Sequence, residues 1–290
     1  MENSSTANSH NLDEFEIVTL KSGIKSIRSI TRGQTFHPGI GPMAEAEILH
    51  VNQQRLLERA AETDPFVIWD VGLGAGANVL AAISALINST QKISSRIEIH
   101  SFDKTISPLE FALQNATALG YLLPYQSQIQ ELMTHGQVRL SAQITWHLHL
   151  SEFQRAIAEP NFPAPHSVLY DPYSAAENLD MWTLEHFQNL RTRLDSRVPS
   201  LWSNYTRSTA VRVTLLLAGF YVGRGCSIGE KLETTLASNH LELLQDPLDQ
   251  KWLERVRRSG NASPMRGPTY SEGPISEIDY ELLVRAPQFN

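Results

Sequence analysis

An α/β fold with a doubly wound parallel sheet is predicted by three features of the chain. From residue 66 onward, short apolar runs alternate with helical patterns. The first run, FVIWDV, is almost unbroken, as expected of a strand covered on both faces. It leads straight into GLGAG and the helical NVLAAISALI, the strand–turn–helix opening of a βαβ unit. In such sheets ligands sit beyond the carboxyl ends of the strands.

Taken in order, residues 1–14 are polar, rich in Ser and Asn, and expected to be disordered. EIVTLKSGIKSIRSI alternates apolar and polar residues about Gly23, which predicts a hairpin. TRGQTFHPGIGPM carries Gly33, Pro38, Gly39, Gly41 and Pro42 and reads as loop; AEAEILHVNQQRLLERAA then reads as one helical stretch. RIEIHSFD is a second strand, ending at Asp103. Residues 107–119 and 125–134 are helical, separated by Pro124. ITWHLHL, SVLYDPYS and SLWSNYT read as further strands. The helices EFQRAIAE, MWTLEHFQNLRTRL and STAVRVTLLLAGF follow them in turn, the last closing near Gly219. FYVGRG and LETTLAS suit a terminal antiparallel hairpin, and the last fifty residues are polar, Pro-rich and weakly patterned. The expected division is a disordered start (1–14), a hairpin and helix cap (15–62), a catalytic domain (63–240) and a C-terminal extension (241–290).

A chain of 290 residues can bury a large core without disulfides, and the single cysteine, Cys226, excludes a disulfide framework. With 24 Lys and Arg against 31 Asp and Glu, the net charge of −7 excludes a globally basic nucleic-acid binder. A polyanion would need a local patch, and residues 251–266 are the most basic window, which equally suits a solvated helix face. There is no run of 18 apolar residues, and MENSSTANSH lacks the basic and apolar regions of a signal peptide; a soluble, cytoplasmic protein is expected. The ten histidines show no metal-ligand spacing, so no metal site is expected. His147 and His149 share a strand face and read as structural, as do Trp69, Trp146 and Trp182; no G-x-S-x-G elbow supports a hydrolase.

Asp70-Val71-Gly72-Leu73-Gly74-Ala75-Gly76 is the strongest local signal. Glycines let the backbone turn tightly beside a ligand, and the next helix offers its N-terminal amides. The string also satisfies the dinucleotide pattern G-x-G-x-x-A. The carboxylate of Asp70, just before the first glycine, suits the cationic amino group of S-adenosylmethionine better than a pyrophosphate. Asp103, ending the second strand, is placed to accept bonds from ribose hydroxyls, a role common to both cofactors. Glu152 suits either an adenine amino group or a helix N-terminus. In Asp171-Pro172-Tyr173-Ser174, the Asp171 carboxylate and the Pro172 carbonyl offer acceptors for the N–H groups of an amine nucleophile, with Tyr173 as a pocket wall. D/N-P-P-Y/F strings mark amino methyltransferases; here tyrosine follows the proline directly.

GQTFHPGIGPMAEAEILHV, WDVGLGAGANVLAA, SFDKTISPLEFAL, ITWHLHLSEF, YDPYSAAENLDMWTLEHFQNL and AGFYVGRGCSIGEKLETTLAS occur in that order. Together, over roughly residues 15–240, they resemble the MnmC-like methyltransferase domain, which completes 5-methylaminomethyl-2-thiouridine at the tRNA wobble position. The resemblance implies a class I, Rossmann-like methyltransferase fold. It also implies a site for S-adenosyl-L-methionine at Asp70, Gly72, Gly74, Gly76, Asp103 and Glu152, with Thr35, Phe36 and Glu45 near cofactor or substrate. Asp171 matches the aspartate that faces the amine, Pro172 and Tyr173 border it, and Met181 and Trp182 match the helix start beside the pocket. Ser151-Glu152 stands where the family has Gly-Asp. Bifunctional members carry an FAD-dependent oxidase, for which this chain is too short, so a stand-alone form is expected. The same pattern also fits methylation of a protein or small-molecule amine, or a catalytically silent SAM- or RNA-binding module.

Overall fold

In the first long strand, β4 (Phe66–Val71), successive side chains point to opposite faces of the sheet and enter two different cores. The structure is a computed structural model that describes residues 14–159, 162–229 and 232–290; of the segment expected to be disordered, only Glu14 is among them. Phe66 and Ile68 pack with α3 (Ala77–Ile87), whereas Val67, Trp69 and Val71 pack with α8 (Leu184–Arg193) and α9 (Thr209–Leu217). Every residue of β4 is buried, and burial of each large apolar side chain contributes about 2 kcal/mol.

β4 pairs in parallel with β5 (Ile97–Asp103) and with β8 (Ser167–Tyr170); β5 pairs in parallel with β7 (Ile144–Leu150), and β8 with β9 (Leu201–Asn204). β10 (Tyr221–Gly225) and β11 (Thr234–Ser238) form the expected antiparallel hairpin, with β11 inserted against β9. β6 (Gln137–Arg139) adds an antiparallel edge to β7, and the full order is β10-β11-β9-β8-β4-β5-β7-β6. Because only Val138 of β6 is buried, no apolar run betrays this strand in the sequence. From β4 the chain crosses to β5 and on to β7 on one side, then returns to β8 on the other, so the carboxyl ends of β4 and β8 flank the switch point.

Two stretches differ from expectation. The predicted continuous helix over residues 44–61 is α1 (Pro42–Ala46), a π-helical turn (Glu47–Asn52) and α2 (Leu56–Glu62), with left-handed Arg55 between them. The breaks accommodate buried polar groups. His50, fully buried, places Nδ1 2.8 Å from Ser203 Oγ; Gln54 donates to Ser203 Oγ (2.6 Å) and Val168 O (3.0 Å) and accepts from Ser167 Oγ (2.7 Å). The N-terminal segment is thereby joined to β8 and β9. The second correction concerns residues 241–290, expected as a basic, weakly patterned extension. They form α10 (Gln250–Val256) and α11 (Glu277–Val284), capped by Asp249 and Ser276. They bury Trp252, Leu253, Val256, Met265 and Leu283 in the core that contains α8 and α9. The hairpin of β1 (Phe15–Thr19) and β2 (Lys25–Ser29), expected about Gly23, is present and is extended by β3 (Gln34–Thr35). Phe15 and Ile27 belong to the other core, with α3. Each terminal segment therefore completes one face of the sheet.

His100, His147 and His149 stack at 4.7 and 5.3 Å, held by a 3.0 Å bond between His100 Nδ1 and His149 Nε2. Burial lowers the His100 pKa to about 3, so it stays neutral. Among the described residues no group of three His, Cys, Asp or Glu side chains is arranged to hold a metal, and no helix is long and apolar enough to cross a membrane.

Candidate active site

The bend after β4 opens on a glycine because no side chain fits there. Gly72 has φ +88°, and a Cβ there would lie 2.6 Å from the carbonyl oxygen of Asp171 and 3.0 Å from Pro172 Cα. The turn thus runs against the end of β8, bringing together two motifs separated by nearly a hundred residues. Gly74 (φ +49°) donates its N–H to Asp103 Oδ2 at 2.9 Å, and Gly76 (φ +80°) begins α3.

Asp70 lies beneath this bend and is 1% exposed. Its Oδ2 accepts from Ser101 Oγ (2.7 Å), which also receives Trp146 Nε1–H (2.9 Å), while Oδ1 is buried with no hydrogen-bond partner among the described residues. Burial pushes the Asp70 carboxyl up to about 7; the Ser101 bond opposes the shift, and the charges of Asp171 and Asp103 add to it. Asp103, at the end of β5, is also raised by burial despite accepting from the amides of Gly74 and Thr105. Three carboxylates around one turn form a site that favours a cationic ligand.

Across the bend, Asp171 Oδ2 accepts from Asn78 Nδ2 (2.7 Å) in the first turn of α3. His37 stands between two carboxylates: Nε2 is 4.0 Å from Asp171 Oδ2, and Nδ1 is 4.0 Å from Glu45 Oε2. Glu45 anchors the loop by accepting from the amides of Gly39 (2.6 Å) and Ile40 (2.9 Å). His37 itself has φ +47°, a conformation a non-glycine residue adopts only when its surroundings hold it. Phe36 reaches over Gly74 and meets Tyr173 edge-on at 5.8 Å. The Arg32 guanidinium lies 4.5 Å above the Tyr173 ring, Gln34 donates to Ser174 Oγ (2.9 Å), and Tyr205 donates to Pro172 O (3.4 Å). Burial pushes the Tyr173 hydroxyl up to about 12.

The structure therefore gathers Phe36, Glu45, Asp70, Gly72, Gly74, Gly76, Asp103, Asp171, Pro172 and Tyr173 about one cleft. Thr35, in β3, pairs with Arg28 and leads into it. Glu45 stands beside His37 on the Asp171 side. Glu152 is at the rim: its side chain is 65% exposed and pairs with Lys104 at 3.1 Å. Met181 and Trp182, expected at the pocket wall, are core residues at 5% and 1% exposure. They hold the wall from behind, for Trp182 Nε1 donates to Tyr173 O (2.9 Å) and Tyr170 donates to Met181 O. Sequence reasoning missed His37, Asn78, Gln34 and Arg32, whose partners are distant in the chain. A polar Asn78 in the first turn of the largely apolar ANVLAAISALI was the one visible signal.

This geometry can be set beside known proteins. Residues 122–240 match a family model described as S-adenosyl-L-methionine-dependent methyltransferase. Two curated relatives are named tRNA 5-methylaminomethyl-2-thiouridine biosynthesis bifunctional protein MnmC. That of Cupriavidus metallidurans is 29% identical over 210 residues, covering 70% of this chain and 31% of the relative. That of Aeromonas hydrophila is 26% identical over 239 residues, covering 77% and 35%. The chain thus spans about a third of the length of these relatives. The crystal structure of MNMC2 from Aquifex aeolicus superposes with a TM-score of 0.68 at 27% identity, covering 94% of this chain and 85% of that one. The parallel sheet with its inserted antiparallel strand, the glycine bend over a buried aspartate and these similarities lead to one conclusion: the chain is a class I methyltransferase that depends on S-adenosyl-L-methionine, and it is similar to the MnmC proteins.

Proposed function

We propose that this protein methylates the aminomethyl group of 5-aminomethyl-2-thiouridine at the wobble position of tRNA, in the cytoplasm. The observation that carries the reading is the Asp171 carboxylate, hydrogen-bonded by Asn78 and facing His37, on a residue whose backbone carbonyl abuts the Gly72 bend. When bound, S-adenosyl-L-methionine supplies a methyl group activated on a sulfonium. Asp70, Gly72, Gly74, Gly76 and Asp103 would hold it, and the orphaned Oδ1 of Asp70 fits a ligand ammonium. Glu152 would close the rim.

A primary alkylamine is protonated near neutral pH, with a pKa close to that of lysine, about 10. The acceptor must lose a proton before its lone pair can attack. Asp171 receives that proton and orients the nitrogen, Asn78 fixes the carboxylate, and His37 and Glu45 provide further places for the charge. Phe36, Pro172 and Tyr173 wall the base, and alignment of the reactants contributes much of the acceleration. The test incubates purified protein with S-adenosyl-L-methionine and tRNA carrying the unmethylated aminomethyl base. Nucleoside mass spectrometry is expected to show a gain of one methyl; an unchanged nucleoside refutes the acceptor.

Asp70→Asn separates a ligand role from a structural one. A carboxyl raised to about 7 keeps a proton that the unfolded chain has lost, so stability falls as pH rises from about 4 to about 7. The variant is expected to be more stable than the parent at pH 8, by up to roughly 4 kcal/mol, yet to bind S-adenosyl-L-methionine about 10- to 100-fold more weakly. Thermal unfolding at pH 5 and 8 and calorimetric titration measure both effects. Undiminished affinity would exclude Asp70 as the ammonium partner.

A further inference from the structure

We infer that the N-terminal hairpin, not the C-terminal helices, is the surface that grips the phosphate backbone of the RNA acceptor. The inference rests on the tRNA reading above and adds to it the place of contact.

In a chain of net charge −7, residues 15–44 hold Lys21, Lys25, Arg28 and Arg32 with Glu16 as the one carboxylate. All four cations are exposed, and Ile24 (45%) and Ile30 (53%) stand exposed among them. Arg28 pairs loosely with Glu16 at 3.7 Å and Arg32 with Glu177 at 3.8 Å, and exposed pairs of this kind yield readily to a phosphate. The hairpin also abuts the cleft: β3 continues from it into Gln34, which bonds Ser174, and Phe36, which covers Gly74. A nucleotide inserted at Tyr173 would leave its flanking phosphates beside these cations.

The C-terminal segment looks basic only within residues 251–266. Over residues 241–290 there are six Lys and Arg against eight Asp and Glu. Arg257 and Arg266 are held at shorter range than the hairpin arginines, by Glu277 at 3.1 Å and by Asp279 at 2.9 Å.

Phosphate contacts weaken with salt, each contributing close to one unit to the slope of log affinity against log salt. The double variant Lys25→Gln with Arg28→Gln is expected to bind tRNA at least tenfold more weakly at about 0.1 M salt. Its salt slope should be shallower by about 1.5 to 2, with KM for tRNA raised, kcat unchanged and the affinity for S-adenosyl-L-methionine unchanged. Lys251→Gln with Arg258→Gln should match the parent. Equilibrium binding of tRNA and nucleoside turnover are measured on the same samples, with melting curves to confirm folding. If the parent methylates tRNA and the hairpin variant keeps its affinity and slope, the inference falls while the proposed function stands. If the parent binds tRNA through the hairpin but transfers no methyl group, the proposed function falls and the hairpin surface stands. No binding by the parent overturns both.

Discussion

Replacing Asp171 by asparagine is expected to lower kcat by 10²- to 10⁴-fold while changing the dissociation constant for S-adenosyl-L-methionine less than threefold. The magnitude is that of losing a positioned proton acceptor. Asparagine keeps the size of the side chain but cannot take the proton from an alkylammonium, and the Asn78 N–H that now meets Asp171 Oδ2 loses its charged acceptor. Single-turnover methyl transfer measured against calorimetric titration distinguishes this from loss of the fold. A variant with normal turnover would remove Asp171 from the chemistry. His37 faces the same oxygen from 4.0 Å, so His37→Gln should fall in the same direction and by less.

The second large effect is expected at Gly72. Alanine there would carry a Cβ 2.6 Å from Asp171 O and 2.9 Å from its carbonyl carbon, both backbone atoms that no rotamer can relieve, at a φ of +88° that also disfavours it. Gly72→Ala should cost more than about 3 kcal/mol, lowering Tm by roughly 6–12 °C, and should abolish methyl transfer by moving the bend away from Asp171. Gly120 offers the control: its φ is +79°, but a Cβ there meets nothing within 4 Å. Gly120→Ala should therefore show only the conformational strain, about 1 kcal/mol. Equal losses at the two positions would show that the close approach at Gly72 is unimportant.

Much of the cleft was legible because its carboxylates end apolar runs. Asp70 and Asp103 close FVIWD and IEIHSFD, and Asp171 follows SVLY, so strand position alone predicts that they share one edge of a parallel sheet. Features that depend on distant pairs were not legible. His37 stood isolated in a glycine-rich loop until the fold brought Asp171 and Glu45 to it. Trp182 followed a motif at the pocket, yet its indole turns inward to support the Tyr173 carbonyl. The helices at residues 250–256 and 277–284 are short and bury few residues each, so their periodicity is faint although their packing is firm.

The buried bonds of His50 and Gln54 to Ser203, Val168 and Ser167 rivet the chain immediately after the Phe36–His37 loop to the central strands. A wall fastened in this way is inherited by the resting protein, and no flap is required to swing shut over the reactants. Under the function proposed above, the incoming nucleotide would act as its own stopper and exclude solvent from the carboxylate.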